Sequence, residues 1–271
     1  MRKDELLLLP SGRSASPHIK PWMRATLVDW MVQLDQHFRL SFGTMFRAVQ
    51  IVDRFIRQVS VDVDKYQLLG VTAVWISTKL EERYMTEIDE LVDLTDGTST
   101  VRQAYTMERK VLQALDFRLN SPEPSFYVRF YADLCRETVS ERTRQLLVRR
   151  SWYLLDLLMV QWQYVDITAS KAAAAAFCLV LQIEQLPWPT AVEMLVGYAV
   201  RDLTGLMCFM ASLVTVASSD NRYVGAYQKF SSERFGCVAK DKSWQNSIIL
   251  HEMSSNNTTP SVDSSFAEEQ F

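Results

Sequence analysis

The sequence predicts an all-α protein built from two successive five-helix units. Apolar side chains recur at helical spacing along most of residues 22–217. Two segments, 65–80 and 170–183, are apolar nearly all round, and each is the third helix of its group. Helices of that kind are surrounded by other helices. Prolines within 121–124 separate the groups because proline lacks an amide donor. The repeated order indicates a duplicated unit of about 100 residues.

The first unit is predicted to contain helices over 23–39, 44–58, 65–80, 86–94 and 100–117. Two of these starts rest on capping sequences. Thr86 has an acid three residues further on, and Thr100 is followed at the same distance by Gln103. In such a capping box the side chains satisfy amide groups that the first helical turn leaves without partners.

The second unit repeats this arrangement. Its predicted helices cover 124–135, 141–160, 170–183 and 201–217, and its fourth helix opens with a capping box at Thr190. The equivalent order of the buried third helix in both units is the main argument for a duplication.

These patterns divide the chain into four parts. Residues 1–21 form a short, mostly irregular segment, 22–119 the first helical unit and 120–230 the second. Residues 231–271 are predicted to be a disordered tail rich in Ser and Asn. From about residue 240 such side chains prevail, and they cannot bury enough apolar surface to order the chain.

Composition excludes several classes of function. The net charge of −3 and a pI near 5.7 give no reason to expect nucleic acid or an anionic membrane as a partner. The longest apolar run, 172–181, is shorter than the ~20 residues that span a bilayer. Four cysteines and three histidines lie far apart, so neither a disulfide framework nor a metal site is predicted. Common nucleotide, phosphate and hydrolase motifs are missing from the sequence, so neither a cofactor nor catalysis is expected.

Two charged residues fall on apolar helix faces. Arg24 shares its face with Leu27 and Met31, and Asp53 lies one turn after Val49 on the apolar side of the second helix. A lone buried charge costs several kcal/mol, whereas a hydrogen-bonded buried pair can break even. One interpretation is therefore that Arg24 pairs with Asp53. The alternative is that both reach solvent at the helix edges.

Lys79 and Glu108 raise a similar question. Lys79 ends the third helix, where the helix dipole alone favours a cation. Glu108 is harder to explain in this way, because it lies in mid-helix on the apolar stripe that contains Val111 and Leu115. A carboxylate there needs a partner, either within the chain or on another protein.

Several linked motifs resemble the cyclin box. MRATLVDW, DRFI, KYQLLG, STKLEE, LTDGTST and MERKVLQALDF occur in the family's order and spacing. The resemblance is strong over 22–119 and weaker over 124–217, where SFYVRFYADL and DITASKAAAAAF are similar to the second cyclin fold. It is closest to the mitotic A/B-type cyclins, with KLEER favouring the B type. The resemblance implies two tandem five-helix cyclin folds.

The resemblance also implies a function. A cyclin is a non-catalytic subunit that forms a heterodimer with a cyclin-dependent Ser/Thr protein kinase and activates it, here for mitotic progression in nucleus and cytoplasm. Lys79 and Glu108 match the family's kinase-contacting Lys and Glu. Arg24 and Asp53 match its internal ion pair, which favours the buried interpretation.

Four further positions match the family's substrate-docking groove, which binds short basic-hydrophobic peptides of substrates or inhibitors: Met23, Leu27, Trp30 and Gln67. The competing interpretation is that these are ordinary core residues. Thr26 stands where the family usually has Ile, so the groove is expected to bind peptides more weakly than is typical.

One alternative belongs to a different class of function. A transcription-factor-like scaffold could use the same duplicated fold to bind nucleic acid or other proteins without activating a kinase. Such a scaffold would need a basic face, which a pI near 5.7 does not favour.

Overall fold

The first half of the chain forms five α-helices in the computed structural model, which describes residues 15–220 and 222–256. They are α1 (Pro21–Phe38), α2 (Phe42–Gln58), α3 (Tyr66–Glu81), α4 (Ile88–Asp93) and α5 (Val101–Ala114). α1 starts with Pro21 in the first turn, where no amide donor is needed, and ends at Arg39 in the left-handed conformation. The predicted capping box at Thr100 is confirmed, with both reciprocal bonds to Gln103.

The second half repeats the arrangement. Its helices are α6 (Pro124–Leu134), α7 (Glu141–Val160), α8 (Ala169–Ile183), α9 (Thr190–Val196) and α10 (Val200–Ala217). Ser140 caps α7, because its hydroxyl accepts the amide of Thr143. The third helix of each unit, α3 or α8, packs against several others of its unit. The all-α prediction of two five-helix units is confirmed.

Two predicted capping sequences were wrong. α4 begins at Ile88 with Glu87 before it, and no side chain caps it, while Thr86 is buried in the preceding loop. α9 begins at Thr190 itself, which follows Pro189 and makes no capping bond. Before α4, Thr86 is buried in the loop, and at α9 the extended Pro189 takes the N-cap position ahead of Thr190.

The predicted disordered tail was wrong for residues 231–256. After α10 the chain forms α11 (Gly225–Phe230), two short 3₁₀ turns, α12 (Lys242–Gln245) and α13 (Ile248–Ser255). A few apolar side chains order this polar stretch: Trp244 and Leu250 are fully buried, and α13 packs along α10. The average composition of the segment does not reveal these few buried apolar residues, and it therefore predicted disorder. Residues 257–271 lie outside the described part, as do 1–14 of the predicted irregular segment.

α10 is the one helix of the described residues that is long and apolar enough to cross a membrane by length and composition alone. In the structure it packs against α7, α8 and α13, and Met207, Met210 and Ala211 are fully buried there. One side of α10 therefore packs in the core of the second unit.

Arg24 joins the two units. Its Nε and Nη2 donate to the carboxylate of Asp53 at 2.7 and 2.8 Å, and the arginine is fully buried. Its Nη1 lies 3.0–3.2 Å from the carbonyl oxygens of Met159, Val160 and Gln161 at the end of α7. Helix ends leave such carbonyls without partners and carry partial negative charge, so one guanidinium satisfies an anion and a helix terminus together.

A second buried ionic group connects the C-terminal segment to both units. The Lys229 ammonium on α11 lies 2.5 Å from Asp35 of α1 and 2.7 Å from Asp156 of α7, and all three residues are nearly inaccessible. Burial raises the pKa of Asp156 to about 6, because desolvation outweighs the attraction of Lys229. The segment after α10 is thus part of the folded body.

Candidate functional site

Lys79 and Glu108 lie together at the surface. Lys79 is in the last turn of α3, Glu108 is in the middle of α5, and the two helices pack side by side. Their ammonium and carboxylate form an ion pair, with side chains 28% and 17% exposed. The pair is therefore neither sealed beneath the first unit nor split between distant surfaces. Its role in binding a kinase stays a prediction.

Two aromatic rings that sequence reasoning missed support this pair. The Lys79 ammonium lies 3.5 Å from the centroid of the Trp75 ring, and Tyr105 meets the same ring edge-on with centroids 5.2 Å apart. Trp75 precedes Lys79 by four residues and Tyr105 precedes Glu108 by three, so both pairs share a helix face. Helical spacing measured back from the two charges would have found the rings.

Large apolar side chains are exposed on the segments around the pair: Leu80, Tyr84, Met85, Tyr105 and Phe117. Phe117 is 69% exposed and has a φ of +53°, a left-handed conformation that an aromatic residue rarely adopts. An apolar surface of this kind around a few polar groups is typical of protein–protein interfaces.

Arg47 holds the two ends of this surface together. Its guanidinium pairs with Glu81 at the end of α3, and its Nη1 donates to the carbonyl oxygen of Leu119 at 2.9 Å. The end of α3 and the turn that follows α5 are therefore both within reach of one buried side chain. Arg47 thus connects the end of α3, the helix that carries Lys79, to the segment that carries Phe117.

The residues predicted to line a docking groove lie on α1 and α3. Met23, Trp30 and Gln67 are partly exposed, whereas Leu27 is buried. Leu27 packs closely on Gly70 of α3, since a Cβ added there would lie 2.8 Å from its Cδ1. Three of the four residues thus reach the surface, and Leu27 belongs to the core below them. Peptide docking at these residues stays a prediction.

Thr26 is exposed beside these residues, on the same helix. Its hydroxyl donates to the carbonyl oxygen of Trp22, one turn earlier, at 2.9 Å. A Thr in mid-helix commonly makes this bond, which leaves its hydroxyl proton unavailable to a ligand. Thr26 therefore offers less apolar surface than an Ile would and no free donor in exchange.

The described residues contain no group of three or more His, Cys, Asp or Glu side chains that could hold a metal ion. Three of the four cysteines are buried, and desolvation raises the pKa of Cys178 to about 12. Its thiol is protonated at neutral pH, so it is not a thiolate nucleophile.

Two family profiles match the chain in tandem. The profile described as "Cyclin, N-terminal domain" matches residues 1–120, and "Cyclin, C-terminal domain" matches residues 122–243. The second match extends into the segment after α10, in agreement with its folded structure.

Curated relatives include mitotic cyclins. The chain is 34% identical to G2/mitotic-specific cyclin-B1 of Xenopus laevis over 214 residues, which are 78% of this chain and 52% of the relative. It is 31% identical to G2/mitotic-specific cyclin-B3 of Gallus gallus over 239 residues, 88% of this chain and 58% of the relative. The chain spans about half the length of the curated relatives it matches.

Solved structures share the fold. A viral cyclin from herpesvirus saimiri superposes with a TM-score of 0.64 at 16% identity, over 78% of this chain and 93% of that chain. A chain of the CAK complex from Chaetomium thermophilum, bound to ATP-γ-S, gives 0.57 at 15% identity, over 97% and 88%. Identities this low support the fold alone. With both profiles matched and the relatives above 30% identity, the chain belongs to the cyclin family and is similar to its mitotic B-type members.

Proposed function

We propose that this chain is a non-catalytic regulatory subunit that binds and activates a cyclin-dependent Ser/Thr protein kinase during mitosis, in nucleus and cytoplasm. The observation that carries the proposal is the Lys79–Glu108 pair, held at the surface among exposed apolar side chains. The relatives support it, since they are named G2/mitotic-specific cyclins. Catalytic groups, ATP and magnesium would belong to the kinase.

In the free chain, Lys79 and Glu108 form an ion pair with each other. A kinase that presents main-chain carbonyl oxygens and amides can replace this contact without leaving either charge unpaired. Lys79 then donates to carbonyls and Glu108 accepts from amides, and such charge-assisted hydrogen bonds are stronger than neutral ones. The surrounding apolar residues would supply the hydrophobic centre that a standard-sized interface has.

Activation follows from differential binding. A free kinase populates inactive arrangements of its regulatory helix and activation segment. A rigid surface that fits only the active arrangement shifts the population toward it, by as much as the two binding free energies differ. The Arg24 and Lys229 contacts supply rigidity, because they tie both units and the C-terminal segment into one body.

Capture followed by a phosphorylation assay tests the proposal. The tagged chain is used to capture kinases from a mitotic extract, and the recovered complex is assayed on histone with ATP. We expect a cyclin-dependent kinase to be recovered and to phosphorylate histone only when the chain is bound. Recovery of a kinase that stays inactive, or of nucleic acid without a kinase, would favour a scaffold and contradict the proposal.

The proposal extends to substrate docking at Met23, Leu27, Trp30 and Gln67, with weak affinity because of Thr26. Replacing Thr26 by Ile adds an apolar contact at an exposed position and is expected to tighten binding of a basic-hydrophobic docking peptide by about three- to tenfold. Fluorescence anisotropy with a labelled peptide measures this, and Thr106→Ile, an exposed Thr on α5 with the same bond to the preceding turn, is the control. No gain in affinity would contradict the docking proposal.

A further inference from the structure

The Lys79 ammonium has two neighbours that differ in kind. One is the Glu108 carboxylate, and the other is the face of the Trp75 ring, 3.5 Å from its centroid. The face of an indole carries negative potential and attracts a cation without acting as a hydrogen-bond acceptor. An ammonium has three N–H donors. The ring therefore restrains Lys79 while leaving donors available for another molecule.

The ring itself is held in place. Trp75 is only 6% exposed, and Tyr105 packs against it with an interplanar angle of 79°. α3 and α5 are thus joined by two adjacent contacts, Trp75 with Tyr105 and Lys79 with Glu108. Because the buried ring is held in one position, it restricts the conformations of the Lys79 side chain, which would otherwise be flexible.

We propose that Trp75 is a positioning residue for partner binding. Its ring holds the Lys79 ammonium beside Glu108 in the pose that meets the partner's main chain, and Tyr105 supports the ring. This inference rests on the proposed function. Binding immobilises a lysine at an entropic cost, and a side chain that is already restrained loses less freedom. The aromatic contact therefore increases affinity through Lys79 and not through a contact of its own.

A double-mutant cycle tests this. The variants are Trp75→Leu, Lys79→Ala and their combination, and the affinity for the purified kinase captured above is measured by biolayer interferometry. Trp75→Leu alone is expected to weaken binding by about three- to thirtyfold, the range of cation–π contacts. In the Lys79→Ala background the same change should alter affinity by less than about twofold, because its effect passes through Lys79.

Two controls separate positioning from folding. Val74→Ala creates a defect in the same turn of α3, where Val74 is fully buried, and should lower the thermal midpoint without lowering affinity. Trp75→Phe keeps an aromatic face and should retain most of the affinity. If Trp75→Leu does not fold, Trp75→Met takes its place in the cycle, because the longer and more flexible side chain fills more of the buried space without offering an aromatic face. In that case Trp75→Met must weaken binding only when Lys79 is present.

The outcomes are distinct. If Trp75→Leu lowers the affinity equally with and without Lys79, its effect is structural and the inference about Trp75 is overturned. The inference is also overturned if Trp75→Leu leaves the affinity unchanged while Lys79→Ala lowers it. In both cases the proposed function stands. Should Lys79→Ala itself leave the affinity unchanged, both the inference and the proposed binding site would be overturned.

Discussion

Replacing Arg24 by Met should lower the free energy of unfolding by about 3–5 kcal/mol, the cost of breaking a buried ion pair. The change leaves the Asp53 carboxylate buried without its partner, and it also removes the donor to Met159, Val160 and Gln161. Urea unfolding followed by circular dichroism measures the loss. Arg109→Met, at an exposed arginine of α5, is the control and should change stability by less than about 0.5 kcal/mol.

The carbonyl contacts make this prediction sharper. Many buried ion pairs can be replaced by two apolar residues at little cost, because the desolvation penalty disappears with both charges. Here Arg24→Met with Asp53→Leu should remain destabilised, since the three carbonyl oxygens at the end of α7 lose their donor in either case. Recovery of full stability in the double variant would show that the helix terminus does not depend on Arg24.

Replacing Lys79 and Glu108 together by Ala should abolish recovery of the kinase, a loss in affinity of at least about thirtyfold. The fold should persist. Both side chains are partly exposed, and ion pairs at a surface contribute about 0–1 kcal/mol to stability. The same capture assay, together with circular dichroism, gives both readouts.

A second exposed pair is the matched control. Asp64 and Lys65 also form an ion pair of a lysine and an acid, in the turn that precedes α3. Replacing both by Ala removes the same charges from the same unit, and recovery of the kinase should be unchanged. If this control lost the kinase as well, general electrostatics would explain the result and the specific roles of Lys79 and Glu108 would be refuted.

Local signals predicted the helices well because each depends on neighbours along the chain. The 3.6-residue spacing of apolar side chains placed α7 at 141–160, as in the structure, and the capping box at Thr100 is present. Prediction failed where tertiary packing overrides a local signal. Thr86 has the residues of a cap but is buried before α4, and Trp244 orders a polar segment that composition assigned to a disordered tail.

The candidate site likewise contains residues that the sequence indicated and residues that only the fold revealed. The sequence indicated Glu108, because a charge that interrupts an apolar stripe is visible in one dimension, whereas Lys79 at a helix end was indicated by the resemblance to the cyclin box. In the sequence, nothing distinguishes Trp75 and Tyr105 from other apolar residues of helix faces, and their edge-to-face contact depends on how α3 packs against α5. The distance of 3.5 Å between the Lys79 ammonium and the Trp75 centroid requires coordinates.

By itself the sequence determined the all-helical class, the duplicated unit and the family, since periodicity, capping and linked motifs are properties of chain order. Only the tertiary structure decided that Arg24 binds the end of α7 in addition to Asp53, and that Lys229 joins Asp35 to Asp156. Arg24 and the end of α7, like Lys229 and its two aspartates, are separated by more than 70 residues in the chain. A contact over such a separation is selected by the packing of whole helices, and no local pattern encodes it.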